Sequence, residues 1–146
     1  MIAIGSDHGG FELKAQIIEH LKEKEIEFID CGCYTADSVD YPDMAEKVCK
    51  SILGGESERG ILVCGTGIGI SISANKFKGI RAACCSDAFS AKYTRLHNDA
   101  NILCMGGRVV GGGLACMMVD EFLGTDFEGG RHQRRIDKIT EIENNQ

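Results

Sequence analysis

Short apolar runs alternate with longer amphipathic stretches along the whole chain. Strand-like runs fall at residues 2–5, 26–31, 60–64, 80–85 and 101–105, and helix-like stretches at 10–24, 42–53, 67–76, 87–97 and 110–123. Within 10–24 the apolar positions Phe11, Leu13, Ile17, Ile18 and Leu21 keep close to the 3.6-residue period of one helix face. The strand runs are short and nearly all apolar, the pattern of strands covered on both faces. Strict alternation of five strand–helix units predicts an α/β fold. It is a three-layer, Rossmann-like sandwich with a five-stranded parallel sheet, helices on both faces and right-handed crossovers. A sixth helix is predicted over about 131–144. Its Ile136, Ile139 and Ile142 recur every third residue, a stripe that must dock on the parent domain or on a second subunit. The polar, glycine-containing link Gly124 to Gly130 permits either.

Composition narrows this picture. A chain of 146 residues with 43% hydrophobic content suits a single domain, 1–146, with a real core. No apolar run approaches the roughly 18 residues a membrane span needs. The strand pattern starts at Ile2, which leaves no room for a signal peptide, so a cytoplasmic protein without membrane partners is expected. A net charge of −6 argues against nucleic acid as a partner. The charge is uneven: residues 1–60 carry a net −7 and residues 61–146 a net +1. An anionic ligand therefore favours the second half, where Arg108, Arg131, Arg134 and Arg135 lie. Eight cysteines occur with no Cys-x-x-Cys pair, and Cys49, Cys84, Cys104 and Cys116 sit in apolar runs, where cysteine acts as a small hydrophobe. Cys31 and Cys33 alone make a weak zinc case, so no metal and no cofactor are expected.

Candidate chemistry collects at the ends of the strand runs. In open α/β sheets, ligands bind beyond the carboxyl ends of strands, where the strand order reverses. The first run ends Gly5-Ser6-Asp7-His8-Gly9-Gly10, and the third ends Cys64-Gly65-Thr66-Gly67-Ile68-Gly69. If those two strands are neighbours, Asp7, His8 and Cys64 line one crevice. A thiol before a glycine turn and a helix start meets free N–H groups and a favourable dipole, which lower a cysteine pKa from its free value of about 8.5. The same amides suit an oxyanion or a phosphate. The fourth run ends Ser86-Asp87 and the fifth Gly106-Gly107-Arg108, while His97-Asn98 follows the fourth helix. Bland readings stand beside these: Asp7 suits a helix N-cap, His8 and His97 suit structural roles, and the arginines suit a solvated face. Arg131 and Arg135, however, are four apart on one helix face and can fork onto one phosphate.

Three classes compete for the glycine loop. Dinucleotide binding needs G-x-G-x-x-G, and Gly65, Gly67 and Gly69 have the wrong spacing. A cysteine phosphatase loop needs arginine at position 70, which is Ile70. Proton transfer on a phosphorylated sugar needs a base, an acid, an oxyanion hole and a phosphate clamp. Cys64, His97, the Gly65–Gly69 amides and the arginines fill those roles. A nucleotide-binding module is the non-enzyme alternative.

The residues resemble ribose-5-phosphate isomerase type B, in the larger group that includes the lactose-pathway galactose-6-phosphate isomerases. The resemblance runs over essentially the whole chain. It is carried by Gly5-Ser6-Asp7-His8-Gly9-Gly10-Phe11, Asp40-Tyr41-Pro42, Gly60 through Gly69, Ala74-Asn75-Lys76, and Gly79-Ile80-Arg81-Ala82. It continues through His97-Asn98-Asp99, Gly107-Arg108-Val109-Val110, and Glu128-Gly129-Gly130-Arg131-His132-Gln133. The resemblance implies metal-free interconversion of ribose 5-phosphate and ribulose 5-phosphate through a cis-enediolate, with allose 6-phosphate or galactose 6-phosphate as alternative substrates. It implies Cys64 as the base, His97 as the ring-opening group assisted by Asp7, and Thr66 as a hydroxyl-proton shuttle. The backbone of Gly65, Thr66, Gly67, Ile68 and Gly69 would hold the enediolate. His8, Arg131 and Arg135 would bind phosphate, with Tyr41, Asn98 and Arg108 completing the shell. It also implies a homodimer or tetramer with sites shared between subunits, the 131–144 helix packing at the dimer interface. One branch of the group places a glutamate base where this chain has Ile70, which leaves Cys64 as the base. Gly107 and Arg134 depart from the serine and glutamine common at those positions, with little bearing on the chemistry.

Overall fold

The computed structural model describes residues 1–146. Five parallel strands, β1 (Ile2–Ser6), β2 (Phe28–Asp30), β3 (Arg59–Cys64), β4 (Ala82–Cys84) and β5 (Ile102–Gly106), form one sheet in the order β2-β1-β3-β5-β4. The helices are α1 (Phe11–Glu23), α2 (Tyr41–Leu53), α3 (Ile68–Ala74), α4 (Ala88–Asn98), α5 (Gly112–Gly124) and α6 (Arg131–Asn144). All eleven expected elements are present, with ends shifted by a few residues. A 3-10 turn, His8–Gly10, precedes α1.

Side-chain alternation along the strands builds two cores. Ile61 and Val63 of β3, with Leu103 and Met105 of β5, pack against α1, α4 and α5. Leu62 and Cys64, with Ile102 and Cys104, pack against α2 and α3. The central strands β1 and β5 are buried throughout, whereas β2 and β4 are only partly covered. The expectation of strands covered on both faces thus fails at the two edges. Cys84 is exposed rather than a core hydrophobe, because β4 ends the sheet. Burial pushes the thiol of Cys49 up to about 12 and that of Cys85 up to about 11, so both stay protonated as core atoms.

Strand order reverses between β1 and β3, which are paired with Ser6 opposite Val63. The loops after these strands therefore share one crevice. Beyond α5, the link to α6 is tied to α4: the buried Arg95 donates through Nε to the Thr125 carbonyl (3.1 Å), and Glu128 N–H donates to the Leu96 carbonyl (3.1 Å). Ile136 of α6 is buried, but Ile139 and Ile142 remain 43% and 63% exposed. The isoleucine stripe is only half covered by its own chain. No helix is long and apolar enough to cross a membrane.

Candidate active site

Three backbone loops interlock at the carboxyl end of the sheet. A Cβ at Gly67 would stand 2.7 Å from the Met105 carbonyl carbon, and one at Gly107 would stand 2.6 Å from the Gly9 carbonyl oxygen. Gly67 also has φ of +82°, a conformation that side chains disfavour. Glycine is required here so that the β1, β3 and β5 loops can touch. The Cys64 carbonyl accepts from Gly107 N–H at 2.7 Å, and the Gly65 carbonyl from Arg108 N–H at 3.1 Å, which fastens the thiol's loop to β5.

Cys64 is 4% exposed, and its Sγ accepts the Gly67 N–H at 3.1 Å. The Ile68 N–H donates to Thr66 Oγ1 at 3.2 Å. The Gly67 and Ile68 amides are therefore engaged inside the loop. Those of Gly65, Thr66 and Gly69 find no acceptor in the chain and stay free for an oxyanion. The helix that follows, α3, has only seven residues. The amide contact, more than a long helix dipole, is what the thiol meets. Tyr41 at the start of α2 lies over Gly69, where a Cβ would come within 2.8 Å of the ring.

Around this loop, Asp7 is 7% exposed and its carboxylate accepts the Gly10 N–H at 3.1 Å, so it does cap the turn into α1. His8 is exposed, and its Nδ1 accepts the Val39 N–H at 3.2 Å. That bond sets the tautomer with Nδ1 as acceptor. His8, Gly9, Phe11, Glu12, Leu13, Ala36, Gly107 and Arg108 line a cavity of about 360 Å³. The Arg108 guanidinium lies over Gly65, with Nη1 3.3 Å from where a Cβ would be. Glu12 and Ala36 join this lining without a sequence signal, since neither stands in a glycine turn nor differs in character from its neighbours.

The remaining expected residues lie elsewhere. His97 and Asn98 do not follow the fourth helix but form its last turn. The Asn98 carbonyl accepts from Arg81 Nε at 2.9 Å, and Arg81 immediately precedes β4. This corner therefore belongs to the amino end of the sheet. β5 runs from Ile102 beside Gly60 to Gly106 beside Cys64, a rise of about 13 Å. Within one chain, His97 and Cys64 are at opposite ends of that strand. Arg131 and Arg135 are exposed on the first turns of α6, whose His132 stacks on His97 with ring centres 4.3 Å apart. His132 has no motif of its own and only the fold brings it to His97. The structure thus gathers the candidate residues into two separate clusters. One joins Cys64, Thr66, the free amides, Asp7, His8, Tyr41 and Arg108. The other joins His97, Asn98, Arg131 and Arg135.

Comparison with known proteins shows what the chain as a whole is similar to. A family model described as Ribose/Galactose Isomerase matches residues 2–139. The chain is 54% identical to Escherichia coli ribose-5-phosphate isomerase B over 142 residues, 97% of this chain and 95% of that protein. It superposes on the Clostridium thermocellum ribose-5-phosphate isomerase B with a TM-score of 0.96 at 54% identity, covering 98% of this chain and 97% of that one. The Mycoplasma genitalium ribose-5-phosphate isomerase B, solved with bound ribulose 5-phosphate, gives a TM-score of 0.94 at 44% identity, with 99% and 97% covered.

Proposed function

The chain belongs to the ribose/galactose isomerase family, and from that premise we propose how its residues interconvert ribose 5-phosphate and ribulose 5-phosphate. The observation that carries the reading is the buried Cys64 thiol, held by the Gly67 amide beside three unengaged amides. That is a proton carrier next to a seat for negative charge.

In the forward direction the Cys64 thiolate takes the C2 proton of the open-chain aldose. The electron pair left behind forms the C1–C2 double bond, and charge moves to O1. The free amides of Gly65, Thr66 and Gly69 meet that charge, and fixed donors of this kind often contribute more to catalysis than any other effect. Thr66 passes the O2 proton to O1, and the Cys64 thiol returns its proton to C1, giving the ketose. No atom is gained or lost. His97 opens the furanose ring by relaying a proton between the anomeric hydroxyl and the ring oxygen, with Asp7 at the sugar. His8, Arg108, Arg131 and Arg135 hold the phosphate, and binding energy there fixes C1 and C2 against the base.

The separation of the two clusters supports a site shared between two copies of one domain spanning 1–146. A second copy running antiparallel sets its amino end against the first copy's carboxyl end. His97, Asn98, Arg131 and Arg135 of the partner then face Cys64. Ile139 and Ile142, left exposed on α6, supply apolar surface for that contact. An isologous dimer generates two identical sites in this way.

The test is a panel of phosphorylated aldoses of five and six carbons, each assayed for its ketose with a chelator present. Ribose 5-phosphate is expected to have the highest kcat/KM. A preference for a six-carbon phosphate, or no isomerisation at all, refutes the reading.

A further inference from the structure

Away from the thiol loop, three side chains that ligate metals converge on the corner formed by α4 and the start of α6. His97, Glu128 and His132 each offer one ligand atom, and these atoms lie within 4.8 Å of one another. His132 is 5% exposed, and its buried Nε2 has no hydrogen-bond partner. The Glu128 carboxylate oxygen stands 3.9 Å from it, beyond hydrogen-bond reach. Buried polar atoms are nearly always satisfied, so an orphaned nitrogen between a carboxylate and a second imidazole points to a missing ligand. Two imidazoles and a carboxylate suit zinc(II) and leave a position open for water.

We propose that His97, Glu128 and His132 form an inhibitory zinc(II) site. The binding stands on this cluster alone, and its inhibitory effect rests on the reading of His97 as the ring-opening group. Zinc bonds nitrogen and oxygen at about 2.0–2.2 Å, so the donors must close from their present spacing. His132 is fixed by burial, while Glu128 is exposed and His97 half-buried, so these two move. The His97 and His132 rings are stacked with their planes 18° apart. An imidazole lone pair lies in the plane of its ring, so one ion cannot meet both lone pairs while the stack persists. Binding turns His97 out of the stack and away from the sugar. Arg131 and Arg135 flank the cluster and oppose a cation, which sets a limit on affinity that Glu128 offsets. The metal-free protein is the active form.

The test begins with chelator-stripped protein titrated with cobalt(II), a coloured stand-in for zinc. One cobalt per chain, with visible d–d bands, no thiolate charge-transfer band and displacement by zinc, is expected. Zinc is expected to suppress isomerisation and a chelator to restore it. Glu128→Gln leaves the metal-free activity unchanged and weakens both zinc binding and inhibition about tenfold or more. His132→Gln is expected to do the same for binding. Should it fail to fold, Glu128→Gln decides alone. A thiolate band, or equal zinc sensitivity of Glu128→Gln and the parent, overturns the site. Binding at these ligands without inhibition overturns its effect on His97. Loss of isomerisation in the metal-free parent overturns the functional reading instead, and the cobalt spectrum still reports on the site.

Discussion

Mixing two inactive variants tests whether the two clusters meet across subunits. Cys64→Ala removes the proposed base from one cluster, and His97→Asn removes the proposed ring-opening group from the other. Within one chain these residues lie toward opposite ends of β5, a strand about 13 Å long. That is longer than a furanose ring. Each variant alone should lose about a hundredfold or more, the usual worth of a positioned acid or base, leaving about 1% of parental activity. In an equal mixture that exchanges subunits, about half of the dimers are mixed. Each mixed dimer carries one site with both groups intact and one site with neither. The mixture should therefore recover about a quarter of parental specific activity, a rise of about twenty-five-fold over either variant. The assay is conversion of ribose 5-phosphate after co-refolding, with mixed dimers counted by native mass spectrometry. Mixed dimers that form without a rise in activity would refute a shared site.

Four further outcomes are expected. Cys64→Ala costs about 1 kcal/mol, because it forfeits one hydrogen bond to the Gly67 amide; a thermal melt should show the fold intact while turnover is lost. His97→Asn spares an open-chain aldehyde phosphate more than ribose 5-phosphate, and equal loss on both would exclude ring opening as its role. Arg135→Ala raises KM for phosphorylated sugars and leaves any turnover of bare aldoses alone; equal loss on both would remove it from the phosphate clamp. The lowered His132 pKa predicts a pH slope of stability. As pH falls through the ordinary histidine value of 6.5, the unfolded chain takes up this proton before the folded one. Stability therefore falls from that pH down to the lowered folded value and is recovered above it. Denaturant midpoints between about pH 5 and pH 8 should show this slope in the parent and a flatter one in His132→Gln; equal slopes would refute the assignment.

Much of the molecule was legible in the order of its residues. Apolar periodicity located every strand and helix, because burial on a given face is a repeating local demand. The glycines of 65–69 marked a turn where backbones approach closely, and Cys64 in front of them marked a thiol beside unpaired amides. The adjacency of β1 and β3, which brings Asp7 and His8 toward Cys64, stood in the sequence only as a condition, and the strand order met it. The tertiary structure decided what depends on partners distant in sequence. It set β4 at an edge, so Cys84 is exposed although its run looks like core. It engaged the Gly67 and Ile68 amides within the loop and left those of Gly65, Thr66 and Gly69 free. It placed His97 in the last turn of a helix that runs antiparallel to the strands, and so at the far end of the sheet from Cys64. It also laid His132 against His97, a pairing that no spacing announces. Residue type and period fix which groups can do chemistry and which face they occupy. Only strand pairing and helix packing fix which of those groups share one volume of space.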